Sequence, residues 1–359
     1  MLTLFKILQL ISLGALCTAT PLYNGSRYLE SSESSEFVWP TSYIALGDSY
    51  AAGVGAGNYV QPRDKEIKKC KRTDGSYPSQ VKDLVGIQQF DFVACSGKVL
   101  GDLKKQYEIL GDKRAELVTL SIGGNDFRFA NTVENCVYHI ATAGAWGKLS
   151  DMVRDGACQA ALKEARDLVE GDGDNGQMVW TKYEEEVDRI VSERLSTTNP
   201  NAVLIITGYS KFFATPQEKD DLCVGKRFPI YKLKLTIANR LHKEVREEMN
   251  RLVHQVNTQI RNRIVSRHPG KIIFIDNDSL LEGHRFCESN PEYQVPARFL
   301  DSDNVYFYSL RSEALEDEGR SKVFHPKTQA HNLTAQMIKM EVMHRFNGMA
   351  APAPVVLTT

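Results

Sequence analysis

Residues 43–53 read Tyr-Ile-Ala-Leu-Gly-Asp-Ser-Tyr-Ala-Ala-Gly. An apolar run, Tyr43–Leu46, ends in a glycine, an acid and a hydroxyl. Such a run reads as a buried strand. The C-terminal ends of strands are where open α/β sheets bind their ligands. Ser49 is therefore placed to be a nucleophile. A serine is weak alone and needs a base, and the charge it creates needs hydrogen-bond donors. Three other stretches could supply them. Phe92-Val-Ala-Cys-Ser-Gly97 ends a second apolar run in a glycine turn. Leu120-Ser-Ile-Gly-Gly-Asn-Asp126 ends a third with two glycines, an amide and a carboxylate. Val323-Phe-His325-Pro326 precedes the last helix-patterned segment.

Alone, each has a simpler reading. Ser49 could cap a helix after a turn made by Asp48, and Asn125 and Asp126 could form a turn. His325 could be a surface histidine, and His331 is a rival base. His284 and Arg285 could line a pocket or sit in a loop tied down by Cys287.

Together, and in this order, the four stretches resemble the SGNH hydrolases, or GDSL-type lipase/esterase family, from about residue 42 to 346. Gly47-Asp48-Ser49-Tyr50, Ser96-Gly97, Gly123-Gly124-Asn125-Asp126 and His325-Pro326 match its four blocks. The segment Asn277 to Glu288 is similar to one found in the secreted actinomycete and fungal branch. The resemblance implies a secreted serine esterase or lipase acting on carboxylic esters without a cofactor or metal. Ser49 would form the acyl-enzyme and His325 would be general base and acid. The oxyanion would be held by the Ser49 and Gly97 N–H groups and the Asn125 amide. Asp48 and Asp126 would be structural. One position departs from the family pattern. Lys322 stands where the family carries an Asp three residues before the histidine, and lysine cannot accept an imidazole N–H. The reading favoured here has the Lys322 backbone carbonyl orient His325. A carboxylate from Asp303, Glu313, Asp317 or Glu318 is the alternative. A carbohydrate O-acetyl esterase, and an inactive glycan- or lipid-binding protein on the same fold, are competing functions.

Elements that hold such residues are visible in the pattern. Apolar runs recur at 43–46, 90–94, 117–122, 203–207 and 271–275, with helix-patterned segments between them. That alternation predicts a parallel sheet covered on both faces. The expectation is one three-layer α/β/α, flavodoxin-like domain over 41–347 with about five parallel strands. Helices are expected over 155–170, 181–196, 233–267 and 329–346. The last would place Leu333, Met337, Met340 and Met343 on one side. Gly171–Gly176 reads as a loop. The segments 54–78 and 127–180 are expected to form the rim that decides specificity.

The flanks point to the compartment. Residues 1–19 carry one lysine, a short apolar stretch and small residues at a possible cleavage position, as a secretory signal does. Residues 20–40 read as a flexible lead-in and 348–359 as a disordered tail. Of seven cysteines, Cys17 lies in the signal. The even set remaining suggests three disulfides in a secreted chain. Sequential pairing, Cys70–Cys95, Cys136–Cys158 and Cys223–Cys287, closes each loop within one region. Asn24, Asn277 and Asn332 fit the N-glycan acceptor pattern, although Asn277 sits in an apolar context. With a net charge of −1 over 359 residues, the chain has no basic bias toward nucleic acid. No segment beyond the leader is apolar and long enough to anchor it in a membrane. The partner is an ester substrate, and the expected state is a monomer.

Overall fold

The computed structural model describes residues 37–60, 68–137, 151–214, 242–288, 304–308 and 322–348. The expected signal and most of the lead-in, Asn24, Cys223, helix positions 233–241, most of the expected tail, and Asp303, Glu313, Asp317 and Glu318 lie outside them.

Five parallel strands form one sheet: β1 (Ser42–Gly47), β2 (Gln89–Phe92), β3 (Leu117–Ser121), β4 (Val203–Thr207) and β5 (Ile272–Ile275). Their spatial order is β2-β1-β3-β4-β5. β1 pairs with β3 in the register Tyr43 with Leu117 through Gly47 with Ser121. β1, β3 and β4 are near-continuous apolar runs because both of their faces are covered. β3 and β4 are buried along their whole length, whereas the edge strand β2 is half-exposed.

Side-chain alternation divides the core in two. Ile44, Leu46, Val118, Leu120, Leu204 and Ile206 face one layer. That layer is built from α3 (Leu103–Leu110), α4 (Phe129–Cys136), α5 (Asp151–Glu170), α6 (Gly173–Glu193) and α7 (Lys243–Gln259). Tyr43, Ala45, Leu117, Val203 and Ile205 face the other. There the cover is α2 (Tyr77–Val85), α8 (Asn277–Leu280) and α9 (Thr328–Asn347). The three-layer α/β/α expectation holds. From β1 the chain steps to β2 on one side and then crosses to β3 on the other. The connection therefore reverses between β1 and β3, the topological switch point at which such sheets open a crevice.

Three local details differ from the expectations or add to them. The stretch 171–176 is not a loop, because α6 already begins at Gly173. Gly176 makes this tight helical hairpin possible. A Cβ there would lie 2.6 Å from the Asp167 carbonyl oxygen and 2.8 Å from the Gly171 Cα. Trp180 closes the hairpin, donating its indole N–H to the Val169 carbonyl. Second, α9 does not bury a methionine side. Its buried residues are Ala330, His331, Thr334, Ala335, Ile338, Val342 and Phe346. Small side chains let it approach α2, its main neighbour, and Met340 is exposed. Third, α7 ends at Gln259 and continues as a π turn over Ile260–Ile264.

Two of the expected disulfides, Cys70–Cys95 and Cys136–Cys158, are present. Cys287 is also disulfide-bonded. Among the described residues no helix is long and apolar enough to cross a membrane. Replacing Gly176 by Ala is expected to destabilise the fold by about 1–3 kcal/mol, the usual cost of forcing a methyl into filled space. Urea unfolding of Gly176→Ala should show a lowered midpoint with an unchanged slope.

Candidate active site

β1 ends against β3 so closely that only glycine fits. A Cβ on Gly47 would lie 2.2 Å from the Ser121 carbonyl oxygen, and its φ is +136°. That same carbonyl accepts the Asp48 N–H at 2.9 Å. Gln106 on α3 then clamps the Gly47 peptide from both sides, its amide oxygen accepting the N–H at 3.0 Å and its amide nitrogen donating to the carbonyl at 2.8 Å. The chain leaves this clamp into a one-turn helix, α1 (Ser49–Ala52), capped by the Asp48 carboxylate on the Tyr50 N–H at 2.9 Å. Ser49 is its first residue.

His325 comes to Ser49 from the other end of the chain. Its Nε2 lies 2.7 Å from Ser49 Oγ. The segment carrying it is laced to 306–308: Phe324 N–H donates to the Tyr308 carbonyl, Tyr308 N–H to the His325 carbonyl, and Lys327 N–H to the Tyr306 carbonyl. The Tyr308 hydroxyl in turn donates to the Gly55 carbonyl at 2.7 Å. From the nucleophile side, the Tyr50 hydroxyl donates to the Phe324 carbonyl at 2.9 Å. Phe324 takes a left-handed conformation, φ +61°, which a bulky residue holds only when its surroundings dictate it. Here an aromatic cluster of Phe212, Phe213 and Phe286 packs around its ring.

The expectation for Lys322 is corrected in detail. Its carbonyl accepts the backbone N–H of His325 at 2.8 Å. The carbonyl at hydrogen-bond distance from the ring Nδ1 is that of Val323, at 3.3 Å. The tight turn occupies Lys322 with the backbone and leaves the next carbonyl to the ring. With Nδ1–H donating there, Nε2 presents its lone pair to Ser49. Burial pushes the His325 pKa down to about 4, against the pull of the Val323 and Lys322 carbonyls and helped by the positive charge of Lys71. The ring is therefore neutral, and able to take a proton, throughout the neutral range.

The loops after β2 and β3 face this pair from the sheet's C-terminal edge. Gly97 has φ +78°, and a Cβ placed on it would meet nothing within 4 Å. Among the described residues no group accepts the N–H of Ser49 or Gly97. Asn125 donates one amide hydrogen to the Lys98 carbonyl at 2.9 Å, which leaves the second available. Asp126 draws the two loops together, with both carboxylate oxygens 3.2 Å from the Leu100 N–H. Burial raises its pKa to about 6. Cys95 of the Cys70–Cys95 bridge donates its N–H to the Gly47 carbonyl, and Ser96 donates to the Cys70 carbonyl. The bridge thus ties the Gly97 loop to β1. Beyond Asn125 an open cavity of about 750 Å³ runs along the α5–α6 hairpin. Apolar Val99, Leu168 and Met178 line it together with Glu164, Asp174 and Lys182.

The remaining candidates lie elsewhere. His331 is buried with its ring 6.1 Å from Tyr77, and its Nε2 has no partner among the described residues. Burial lowers its pKa to about 3. His284 stacks on Tyr306 with ring centres 3.8 Å apart. Buried Arg285 pairs with Asp278 and Glu288, holding the loop beside Cys287. The Asn277 amide nitrogen donates to the Gly208 carbonyl and its oxygen accepts from Thr334, so it is not open as a glycan acceptor. Asn332 is exposed on α9 and donates to Gln80. No group of His, Cys, Asp or Glu that could hold a metal occurs among the described residues. Gln106 and Tyr209, which contact the nucleophile turn, carry no motif that a sequence reading could use.

Burial acts in opposite directions on the two titratable groups beside Ser49. It raises Asp48 to about 7 and lowers His325 to about 4. A histidine with a depressed folded pKa contributes stability that is full above its unfolded value of about 6.5 and is lost as pH falls toward 4. A carboxylate with a raised folded pKa acts oppositely, and its stabilising influence is lost as pH rises from about 4 to 7. The acid limb of kcat/KM for a soluble ester is therefore expected well below 6.5, close to 4. Stopped-flow pH-jump rates, taken before any acid unfolding, would show it.

Comparison with known proteins bears on the family and the fold. The model of the GDSL-like Lipase/Acylhydrolase family matches residues 45–285. A lipase of Streptomyces rimosus is 27% identical over 258 residues, covering 72% of this chain and 78% of that protein. Lipase 1 of Streptomyces coelicolor is 27% identical over 250 residues, covering 69% and 74%. The fold is similar to the crystal structure of an extracellular lipase from Streptomyces rimosus, with a TM-score of 0.56, 24% identity, and 83% and 99% of the two chains covered. It is also similar to that of phospholipase A1 from Streptomyces albidoflavus, with a TM-score of 0.58, 23% identity, and 84% and 99% covered.

Proposed function

The chain belongs to the GDSL-like lipase/acylhydrolase family and is an ester-hydrolysing enzyme, and from that premise we propose that it is a secreted serine esterase or lipase working through a Ser49–His325 dyad. The observation that carries the proposal is the 2.7 Å contact between His325 Nε2 and Ser49 Oγ. In this reading, Ser49 Oγ attacks the ester carbonyl as its proton passes to His325 Nε2. The carbonyl oxygen becomes an anion and is met by the N–H groups of Ser49 and Gly97 and by the second amide hydrogen of Asn125. The tetrahedral intermediate collapses, and His325 returns the proton to the departing alcohol. Water, deprotonated by His325, then attacks the acyl group on Ser49 and releases the acid. The Val323 carbonyl holds Nδ1–H and so keeps the ring in the useful tautomer, the role a carboxylate has in a full triad.

Secretion is part of the same proposal. The leader-like residues 1–19 and the bridges Cys70–Cys95 and Cys136–Cys158 support it, because such bridges persist in oxidising compartments. The cavity beside Asn125 carries both apolar and charged walls. It suits an ester with one greasy and one polar end.

Hydrolysis of p-nitrophenyl esters from acetyl to palmitoyl tests the reading. Ser49→Ala should lose roughly 10⁴-fold or more in kcat while unfolding as the unaltered protein does. Asn125→Ala should lose about 10²–10³-fold in kcat. Undiminished turnover by Ser49→Ala would remove Ser49 as the nucleophile. A series dominated by the acetyl ester would favour a deacetylase over a lipase.

A further inference from the structure

Tyr209 follows β4 by two residues and is buried. Asn257 on α7 holds its backbone at both ends, accepting the Tyr209 N–H at 2.9 Å and donating to its carbonyl at 2.7 Å. The ring is packed edge-on against Tyr50 and Phe129. With backbone and ring both fixed, the phenol oxygen has a defined target. It accepts the Gly124 N–H at 2.7 Å and donates to Asp48 Oδ2 at 3.3 Å. The other Asp48 oxygen accepts the Tyr50 N–H at 2.9 Å.

A phenol has one hydrogen to give, and here it goes to Asp48. The bonds therefore link up without a break: the Gly124 N–H donates to the phenol, the phenol donates to Asp48, and Asp48 also accepts from the first turn of α1. One end carries Ser49. The other is the residue before Asn125. We propose that Tyr209 is a positioning residue that couples the nucleophile turn to the oxyanion loop, setting Asn125 relative to Ser49 without touching a reacting atom. The inference rests on the esterase reading above. Its logic is distance: these two segments follow different strands, and their spacing decides whether the developing negative charge meets its donors. Such donors lose effect steeply when displaced. Ground-state binding of the substrate depends far less on that spacing. Removing the hydroxyl also takes away the acceptor of the half-buried Gly124 N–H, which frees the loop to move.

The test is Tyr209→Phe, which keeps the ring and its packing. With p-nitrophenyl butyrate, kcat should fall roughly 10- to 100-fold, while KM stays within about twofold. A p-nitrophenyl phosphonate should label Ser49 more slowly by the same factor, since phosphonylation also builds negative charge at that oxygen. Equal loss in kcat and gain in KM, or labelling and turnover at the unaltered rate, would overturn the Tyr209 proposal alone. Failure of the phosphonate to label Ser49 in the unaltered protein would remove the esterase reading and this proposal with it. Should Tyr209→Phe not fold, Gly124 amide exchange in the unaltered protein decides. Protection comparable to the strand amides is expected, and exchange at the rate of an open loop amide would overturn the proposal.

Discussion

The close approach of β1 to β3 at Gly47 is the constraint on which the rest depends. Because no side chain fits between Gly47 and the Ser121 carbonyl, β1 can continue its register to the sheet's edge and then turn at once. The turn starts α1 with Ser49 as its first residue and leaves the Ser49 N–H unspent. The strand order places the loops after β2 and β3 on either side of that turn. Nucleophile and candidate donors thus meet because of connectivity, not because they are near in the chain.

A second theme is that the site is built from buried polar groups satisfied mostly by backbone. Gln106, Asp48, Asp126 and Tyr209 all bond to main-chain N–H or C=O groups of the loops they hold. His325 is likewise held by a main-chain carbonyl. The described part of the site offers no carboxylate to the ring. A carbonyl orients an imidazole without contributing a full charge, so it stabilises the imidazolium less than a carboxylate would. Burial lowers the His325 pKa, and the carbonyls beside the ring offset that only in part.

Much of this was readable from the chain. β1, β3 and β4 are near-continuous apolar runs, and four short motifs fall where strands end or the last described helix begins. Ser49 and His325 were found by type and order, and the structure brings them within hydrogen-bond distance. What stayed hidden depends on contacts distant in sequence. Nothing about Gln106 distinguishes it from a surface glutamine until α3 is docked on β1. Tyr209 looks like one more aromatic near a strand. The hairpin at 171–176 was misread because glycine and aspartate are turn formers by propensity. Gly176 is there for a different reason, the proximity of the Gly171 backbone. That the Val323 carbonyl lies at hydrogen-bond distance from the His325 ring depends on the backbone of the turn, which no pattern of residue types encodes.

The pairing of Ser49 with His325 spans 276 positions, and this separation has a consequence for biosynthesis. Ser49, the proposed nucleophile, follows β1, the first strand among the described residues, and His325, its proposed base, lies just before α9. All five strands precede His325 in the chain, so the sheet could assemble while His325 is still being translated, but the pair cannot close until that residue has emerged. Non-local closure of this kind is slow because chain entropy is lost before the contact forms. The proposed dyad therefore stays open during synthesis and closes only when the segment that carries His325 docks beside α9.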